Sequence, residues 1–144
     1  TYSLRWNTVY HVGRWKMKTQ VDCNLVQAPK VPTYGWSIYQ DVEYRFVEVP
    51  IVLQLRAQAF DARNWDNRIY IYENDVLYAF SSNQYNGKGI RFFFNFNYKI
   101  FKNLQLCFKV SNTFYVDRNI IGSGNDEIIG PNKTDFHILL NWKW

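Results

Sequence analysis

The sequence predicts an all-β fold: an antiparallel up-and-down transmembrane β-barrel, with eight strands in this chain and further strands completing a larger barrel. Three observations predict it. Apolar and polar residues alternate with period two along most of the chain. The alternating segments are longer than ordinary soluble strands, and aromatic residues gather toward segment ends.

Composition narrows the alternatives. The 144 residues suit one domain and are read as a single barrel region, 1–144, forming the C-terminal portion of a larger protein. Aromatics make up 19%, yet the mean hydropathy of -0.37 is that of a soluble protein. No apolar run approaches the roughly 18 residues of a transmembrane helix. What remains is a soluble all-β protein or a membrane barrel, whose alternating strands never look greasy on average. The net charge of +5 and pI near 9.2 invite a nucleic-acid reading. The basic residues, however, are scattered one or two per segment, without a clustered footprint, so no nucleic-acid partner is expected. Cys23 and Cys107 lie mid-segment and read as small strand fillers, since two thiols make neither a disulfide scaffold nor a zinc site. The chain opens at Thr1 inside a strand-like pattern, as expected of a processed chain or a piece of a longer one.

The elements follow in order. Tyr2, Leu4, Trp6 and Tyr10 alternate with Ser3, Arg5 and Asn7; Trp15, Met17, Val21, Cys23 and Leu25 with Lys16, Lys18, Gln20, Asp22 and Asn24. Tyr34, Trp36, Ile38, Val42, Tyr44 and Phe46 oppose Ser37, Asp41, Glu43 and Arg45, and Ile51 to Ala59 repeat the pattern against Gln54, Arg56 and Gln58. A fifth strand is predicted from Tyr70, Tyr72, Val76, Tyr78 and Phe80 against Glu73 and Asp75, with Asn74 breaking the apolar side. Ile90 to Tyr98 face away from Arg91, Asn95, Asn97 and Lys99; Leu104 to Val110 from Gln105, Lys109 and Ser111; Phe136 to Trp144 from His137, Asn141 and Lys143. Each strand is roughly ten to fourteen residues long, against about five or six in soluble sheets and about nine to eleven in membrane-crossing strands. Turn residues separate them at 11–13, 29–32, 48–50, 64–67, 83–89 and 102–103, and a long Gly, Asn and Asp-rich connection spans 117–134.

An eight-stranded barrel has just enough interior to be filled by side chains, and the apolar face here is too bulky to point inward. The apolar face is therefore expected to meet lipid, with Trp15, Tyr34, Trp36, Tyr44, Tyr70, Phe94, Tyr98, Trp142 and Trp144 as lipid-facing and girdle residues. The polar face then lines the lumen with Arg5, Arg14, Lys16, Lys18, Arg45, Arg56, Arg91, Lys99, Lys109 and Lys143. Against these ten cations stand five acids, Asp22, Asp41, Glu43, Glu73 and Asp75. Five charges are left uncompensated, which a sealed interior would not tolerate but a wider, hydrated or partner-filled lumen would.

The final strand, Phe136-His-Ile138-Leu-Leu140-Asn-Trp142-Lys-Trp144, resembles the C-terminal signal that the barrel-assembly machinery reads in outer-membrane proteins. Arg68 to Ser81, Gly87-Lys-Gly89-Ile-Arg91, Asp117-Arg118, Ile121 to Gly124 and Asp126-Glu127-Ile128 resemble Bacteroidetes-type outer-membrane proteins with a periplasmic helix-hairpin-helix region ahead of a C-terminal barrel. The hairpin motifs themselves have no counterpart in these residues. The resemblance implies a cell outer membrane location, contact with outer-membrane lipid and the assembly machinery, strands upstream, and further outer-membrane subunits as partners.

Chemistry is sparse. Phosphate-loop, metal-ligand and nucleophile-elbow patterns are missing, and no cofactor is expected. His137 and Ser111 fall on neighbouring strands, and the reading preferred for that pair is a lumen-facing histidine rather than a hydrolase; Asp126 and Glu127 read as solvated loop carboxylates. The chain is not expected to be an enzyme. Its function is expected to be that of a channel or transport-type barrel. The alternative is a structural or assembly subunit with a plugged lumen, and a soluble lipocalin-like binding barrel comes last. With Trp144 at the periplasmic rim, eight strands place the connections 26–33, 61–67 and 100–103 on the periplasmic side. Those at 11–13, 47–50, 81–89 and 117–134 then lie outside.

Overall fold

A computed structural model describes residues 1–27, 32–79 and 81–144, without the side chain of Ser81. Residues 29–31 of one expected turn, and Phe80, lie outside the described residues. The chain is all-β. Among the described residues the strands are β1 (Tyr2–Val12), β2 (Trp15–Val26), β3 (Thr33–Arg45), β4 (Ile51–Ala62), β5 (Ile69–Glu73), β6 (Ser81–Tyr85), β7 (Gly87–Phe101), β8 (Leu104–Tyr115), β9 (Ile120–Ile121), β10 (Ile128–Ile129) and β11 (Asn132–Trp142). Seven form one antiparallel sheet in the order β1-β2-β3-β4-β7-β8-β11, while β5–β6 and β9–β10 are separate two-stranded hairpins. No backbone pairing among the described residues joins β1 to β11, so the sheet has two free edges.

The seven long strands run from 11 to 15 residues because their alternation is uninterrupted and their turns are tight. Val12 pairs with Trp15 across a two-residue turn, where Gly13 takes the positive φ of 59° that such a turn demands. Phe101 pairs with Leu104 across another. The β3–β4 turn closes with the Phe46 amide donating to the Ile51 carbonyl at 3.1 Å. The Lys143 amide donates to the Asn103 carbonyl at 2.8 Å, tying the C-terminus to the same end of the sheet.

Two expectations are corrected. The fifth strand, 70–80, is not a strand of the sheet: β5 stops at Glu73, a turn follows, and β6 returns antiparallel to it. Residues 83–89, expected as a turn, instead carry β6 almost directly into β7. Removing one strand reverses the parity of everything before it. The connections 13–14, 46–50 and 102–103 lie at the end that carries Trp144, while the end of β2, the start of β3, 63–86 and 116–131 lie at the opposite end. The sidedness expected for 100–103, 81–89 and 117–134 relative to Trp144 is thus correct, and that for 11–13, 26–33, 47–50 and 61–67 is inverted. The corrected arrangement is the simpler one: among the described residues the turns 13–14, 46–50 and 102–103 share one end, and the two long connections, 63–86 and 116–131, share the other.

Burial is inverted relative to a water-soluble sheet. Arg91 is 5% exposed and Lys109 2%, whereas Leu4 and Ile138 on the opposite face are each 70% exposed. Ordinarily it is the charged residues that face solvent.

Candidate functional site

The residues that bury the polar face come from the chain itself. Between β4 and β7, segment 63–86 folds back over the inner face of the sheet. Asn64 caps a single 3-10 turn, Trp65–Asn67, by accepting from the Asp66 amide at 3.0 Å. Asn67 then packs on the wall at Gly35, where a Cβ would come within 2.8 Å of the Asn67 carbonyl. Any larger residue would push the segment away.

Beyond it, β5 alternates. Ile69 and Ile71 are buried with Tyr39, Phe60, Ala62 and Tyr85 in a small apolar cluster, while Tyr70 and Tyr72 point the other way and are exposed. Wall side chains satisfy the backbone of the segment: Asn24 donates to the Arg68 carbonyl at 3.2 Å, Arg5 to Tyr70 at 3.1 Å and Arg56 to Tyr72 at 3.0 Å. A buried backbone needs such partners. Contacts from β1, β2 and β4 thus converge on one short strand, and the sheet curls around it.

The segment then delivers two carboxylates. Glu73, fully buried, receives Nε and Nη2 of Arg91 at 2.7 and 2.9 Å, the Tyr85 hydroxyl at 2.6 Å and Nζ of Lys109 at 3.2 Å. Arg91 spends its remaining donors on Thr113 and Ser111, at 2.7 and 3.0 Å. Lys109 also reaches Asp75 at 3.1 Å, and His137 Nδ1 lies 2.7 Å from the other oxygen of Asp75. One strand over, Arg56 grips Asp41 through two nitrogens at 2.5 and 2.7 Å and stacks on the Tyr39 ring at 3.8 Å. Asn74, the residue that breaks the apolar pattern, donates to Gln54 of the wall at 2.8 Å.

Three buried cations, Arg56, Arg91 and Lys109, therefore face Asp41, Glu73 and Asp75, with Asp135 of β11 a further acid 3.9 Å from Arg91. A buried ion pair contributes little net stability, but deleting one partner strands the other. Farther out, Arg5 pairs with Asp22, and Arg45 with Glu43 at 2.8 Å. Of the expected lumen cations this leaves Arg14, Lys16, Lys18, Lys99 and Lys143 without a carboxylate within salt-bridge distance in the described residues. Arg14 sits in the first turn and Lys143 past the end of β11, whereas Lys16 and Lys18 stand in register with Glu43 and Asp41 on the inner face. Cavities of about 300 and 150 Å³ lie beneath the hairpin; the larger is bordered by Glu43, Asn74 and Asn95, the smaller by Lys16 and Lys18 together with Asp41, Glu43 and Arg56.

The other expected residues separate by face. Trp15, Tyr34, Trp36, Tyr44, Phe94, Tyr98 and Trp142 sit on the outer face of the sheet. Near the short-turn end Trp15 packs on Tyr44 with ring centroids 4.5 Å apart, and Tyr44 on Phe46 at 4.8 Å. Tyr70 is corrected: it belongs to the hairpin, not to the outer face. Trp144 lies past the end of β11 and is exposed. Glu73 and Asp75 do line the interior, from the hairpin rather than from a wall strand. His137 opposes Lys109 rather than Ser111 in the register, and Ser111 is held by Arg91, so the two do not form a nucleophile–base pair. At the long-loop end burial works against the Asp117 charge, yet Arg118 at 3.1 Å and the Lys88 backbone amide hold its carboxyl below the usual range.

Sequence reasoning missed Tyr39, Phe60, Phe93, Tyr85 and Asn67. The first three are large aromatics on the otherwise polar face, at odd places in the alternation, and that mismatch is the signal that something apolar covers them. No family model, curated protein or solved structure matches the chain. Fold and site define an all-β protein: an open seven-stranded antiparallel sheet, apolar outside and charged inside, with its own hairpin on the inner face.

Proposed function

We propose that this chain is an integral outer-membrane β-barrel component of structural or assembly type, its lumen occupied by its own 63–86 hairpin. One observation carries the reading: ionised side chains are buried on one face while a continuous aromatic and aliphatic face is left bare on the other. In water the bare face would cost about 25 cal/mol per Å²; in lipid it costs nothing. A lipocalin-like barrel needs the reverse orientation. The placement of the turns 13–14, 46–50 and 102–103 with Trp144, and of the long connections 63–86 and 116–131 opposite, also suits an outer-membrane barrel whose C-terminus is periplasmic. Outer-membrane lipid and, through β11, the barrel-assembly machinery are the partners this reading implies.

The ion-paired, hydrogen-bonded centre favours a plugged lumen over an open pore. A channel reading keeps one observation in its favour, the unpaired Lys16 and Lys18 beside a cavity under the hairpin, which would attract anions if the hairpin left. Planar-bilayer recording of the native protein decides. A plugged component shows no steady conductance, and deletion of 66–84 opens one; steady anion-selective conductance in the intact protein would establish the channel instead. Extraction from membranes by alkaline carbonate would remove the membrane reading altogether.

A further inference from the structure

We propose that the two free edges of the sheet are joined by three or more further antiparallel strands, odd in number, that do not come from a second copy of these residues. The inference rests on the membrane reading and deepens it. In hydrocarbon every backbone amide and carbonyl needs a partner, so an 11-residue edge such as β1 or β11 cannot face lipid. Their direction then restricts what covers them. Every pair in the sheet is antiparallel, and β1 and β11 are the first and seventh strands in its order, so they run the same way. Joining them directly makes a parallel seam. Copies of the chain inserted in one membrane share one orientation, so any seam between copies is parallel too. Only an odd number of intervening strands continues the antiparallel ladder at both edges, and it brings the total to the even count of bacterial single-chain barrels.

A single strand does not suffice, because of the hairpin. An eight-stranded barrel is filled by its own side chains. Here the inner face already holds Arg56, Arg91, Tyr39 and Phe93 and, on top of them, a two-stranded hairpin with its own side chains. Glu73 and Asp75 reach β7, β8 and β11 while Tyr70 is held from β1, so the hairpin occupies the axis and not a rim. A ring around it needs at least ten strands. The joining strands carry apolar residues outward at the level of Leu4, Trp6, Ile138 and Leu140, and polar ones inward to meet Arg5 and His137, which are 55% and 44% exposed at their side chains.

The test places a photo-crosslinking amino acid at Leu4, Trp6 or Tyr10 on β1, and at Phe136, Ile138 or Leu140 on β11, in the full native polypeptide in its own membrane. Adducts are mapped by mass spectrometry. The expected adducts join β1 and β11 to two different segments outside residues 1–144, and the partner position moves backward as the label moves forward. Adducts linking β1 to β11, within a chain or between copies, overturn the proposal, as does a single strand crosslinked from both edges or no adduct at either edge. Carbonate washing of the same membranes reports separately on the membrane reading, because release of the protein would refute that reading whatever the adducts are.

Discussion

Two long connections leave the same end of the sheet and meet different fates. Segment 63–86 folds onto the inner face and buries Ile69, Ile71 and Glu73 almost completely. Segment 116–131 also forms a hairpin, β9–β10, and carries four isoleucines, yet Ile129 remains 88% exposed. Apolar content does not explain the difference. The first segment places two acids where the wall offers Arg91, Lys109 and His137, and lends its carbonyls to Arg5, Arg56 and Asn24. The second keeps Asp126 and Glu127 in the open. Its ion pair is Arg118 with its own neighbour Asp117, and its contacts with the wall, Asp117 at the Lys88 amide and Arg118 over the Tyr115 ring, stay at the rim. A connection becomes interior here when its charges answer those of the wall.

That comparison can be broken. Glu73→Ala leaves Arg91 and Lys109 buried against less than their complement of charge and should cost about 3–5 kcal/mol, read by urea unfolding of the protein in lipid vesicles. Loss of less than about 1 kcal/mol would mean that the ion pairs do not hold the hairpin. The hairpin covers only one face of the sheet, which sharpens the contrast. Phe94→Arg, on the outer face near mid-strand, should cost about 2–4 kcal/mol in the same titration. Asn141→Arg, half-buried on the inner face of β11 opposite Gln105, should cost under about 1 kcal/mol. Equal costs would mean the faces are assigned wrongly.

Smaller effects refine the account. Tyr85→Phe removes one hydroxyl from a buried carboxylate that keeps its two cations, so about 1.5–3 kcal/mol is expected. Faster hydrogen exchange should appear across Ile69–Glu73 before it appears in β7. Exchange rising equally in both would show that the hairpin and the wall open as one unit. Glu127→Ala, in the exposed connection, should change stability by no more than about 0.5 kcal/mol; a larger loss would make the second connection as structural as the first.

The seven wall strands were legible in the sequence because each has one apolar and one polar face, and period two records that difference residue by residue. The same period misled at 70–80. Tyr70, Tyr72, Glu73 and Asp75 alternate as a wall strand would, since a hairpin lying on a sheet is itself two-faced. Two local signals pointed the other way: Asn74 on the supposed lipid side, and a pair of acids so close together in a polar face rich in cations. Of the ten cations and five acids expected inside, Arg14 lies in a turn, and Asp135, 3.9 Å from Arg91, is an inner acid that the alternation left uncounted. Composition could not show which cations are matched either: Lys16 and Lys18 stand in register with Glu43 and Asp41, yet those acids are taken by Arg45 and Arg56. Tyr39, Phe60 and Phe93 on the polar face signalled an apolar cover, but which segment supplies it was not readable until Ile69 and Ile71 were placed in the same cluster as Tyr39 and Phe60.

The account stands on which face meets lipid, and one scan reads that directly. Single nitroxide labels at each position from 90 to 98 on β7, in the native protein reconstituted in bilayers, report collision with dissolved oxygen and with a water-soluble nickel chelate. The expected pattern has period two. Oxygen accessibility should peak at Ile90, Phe92, Phe94, Phe96 and Tyr98, and both reagents should be excluded at Arg91, Phe93 and Asn95 beneath the hairpin. Nickel accessibility at the even positions, or no alternation at all, would contradict it.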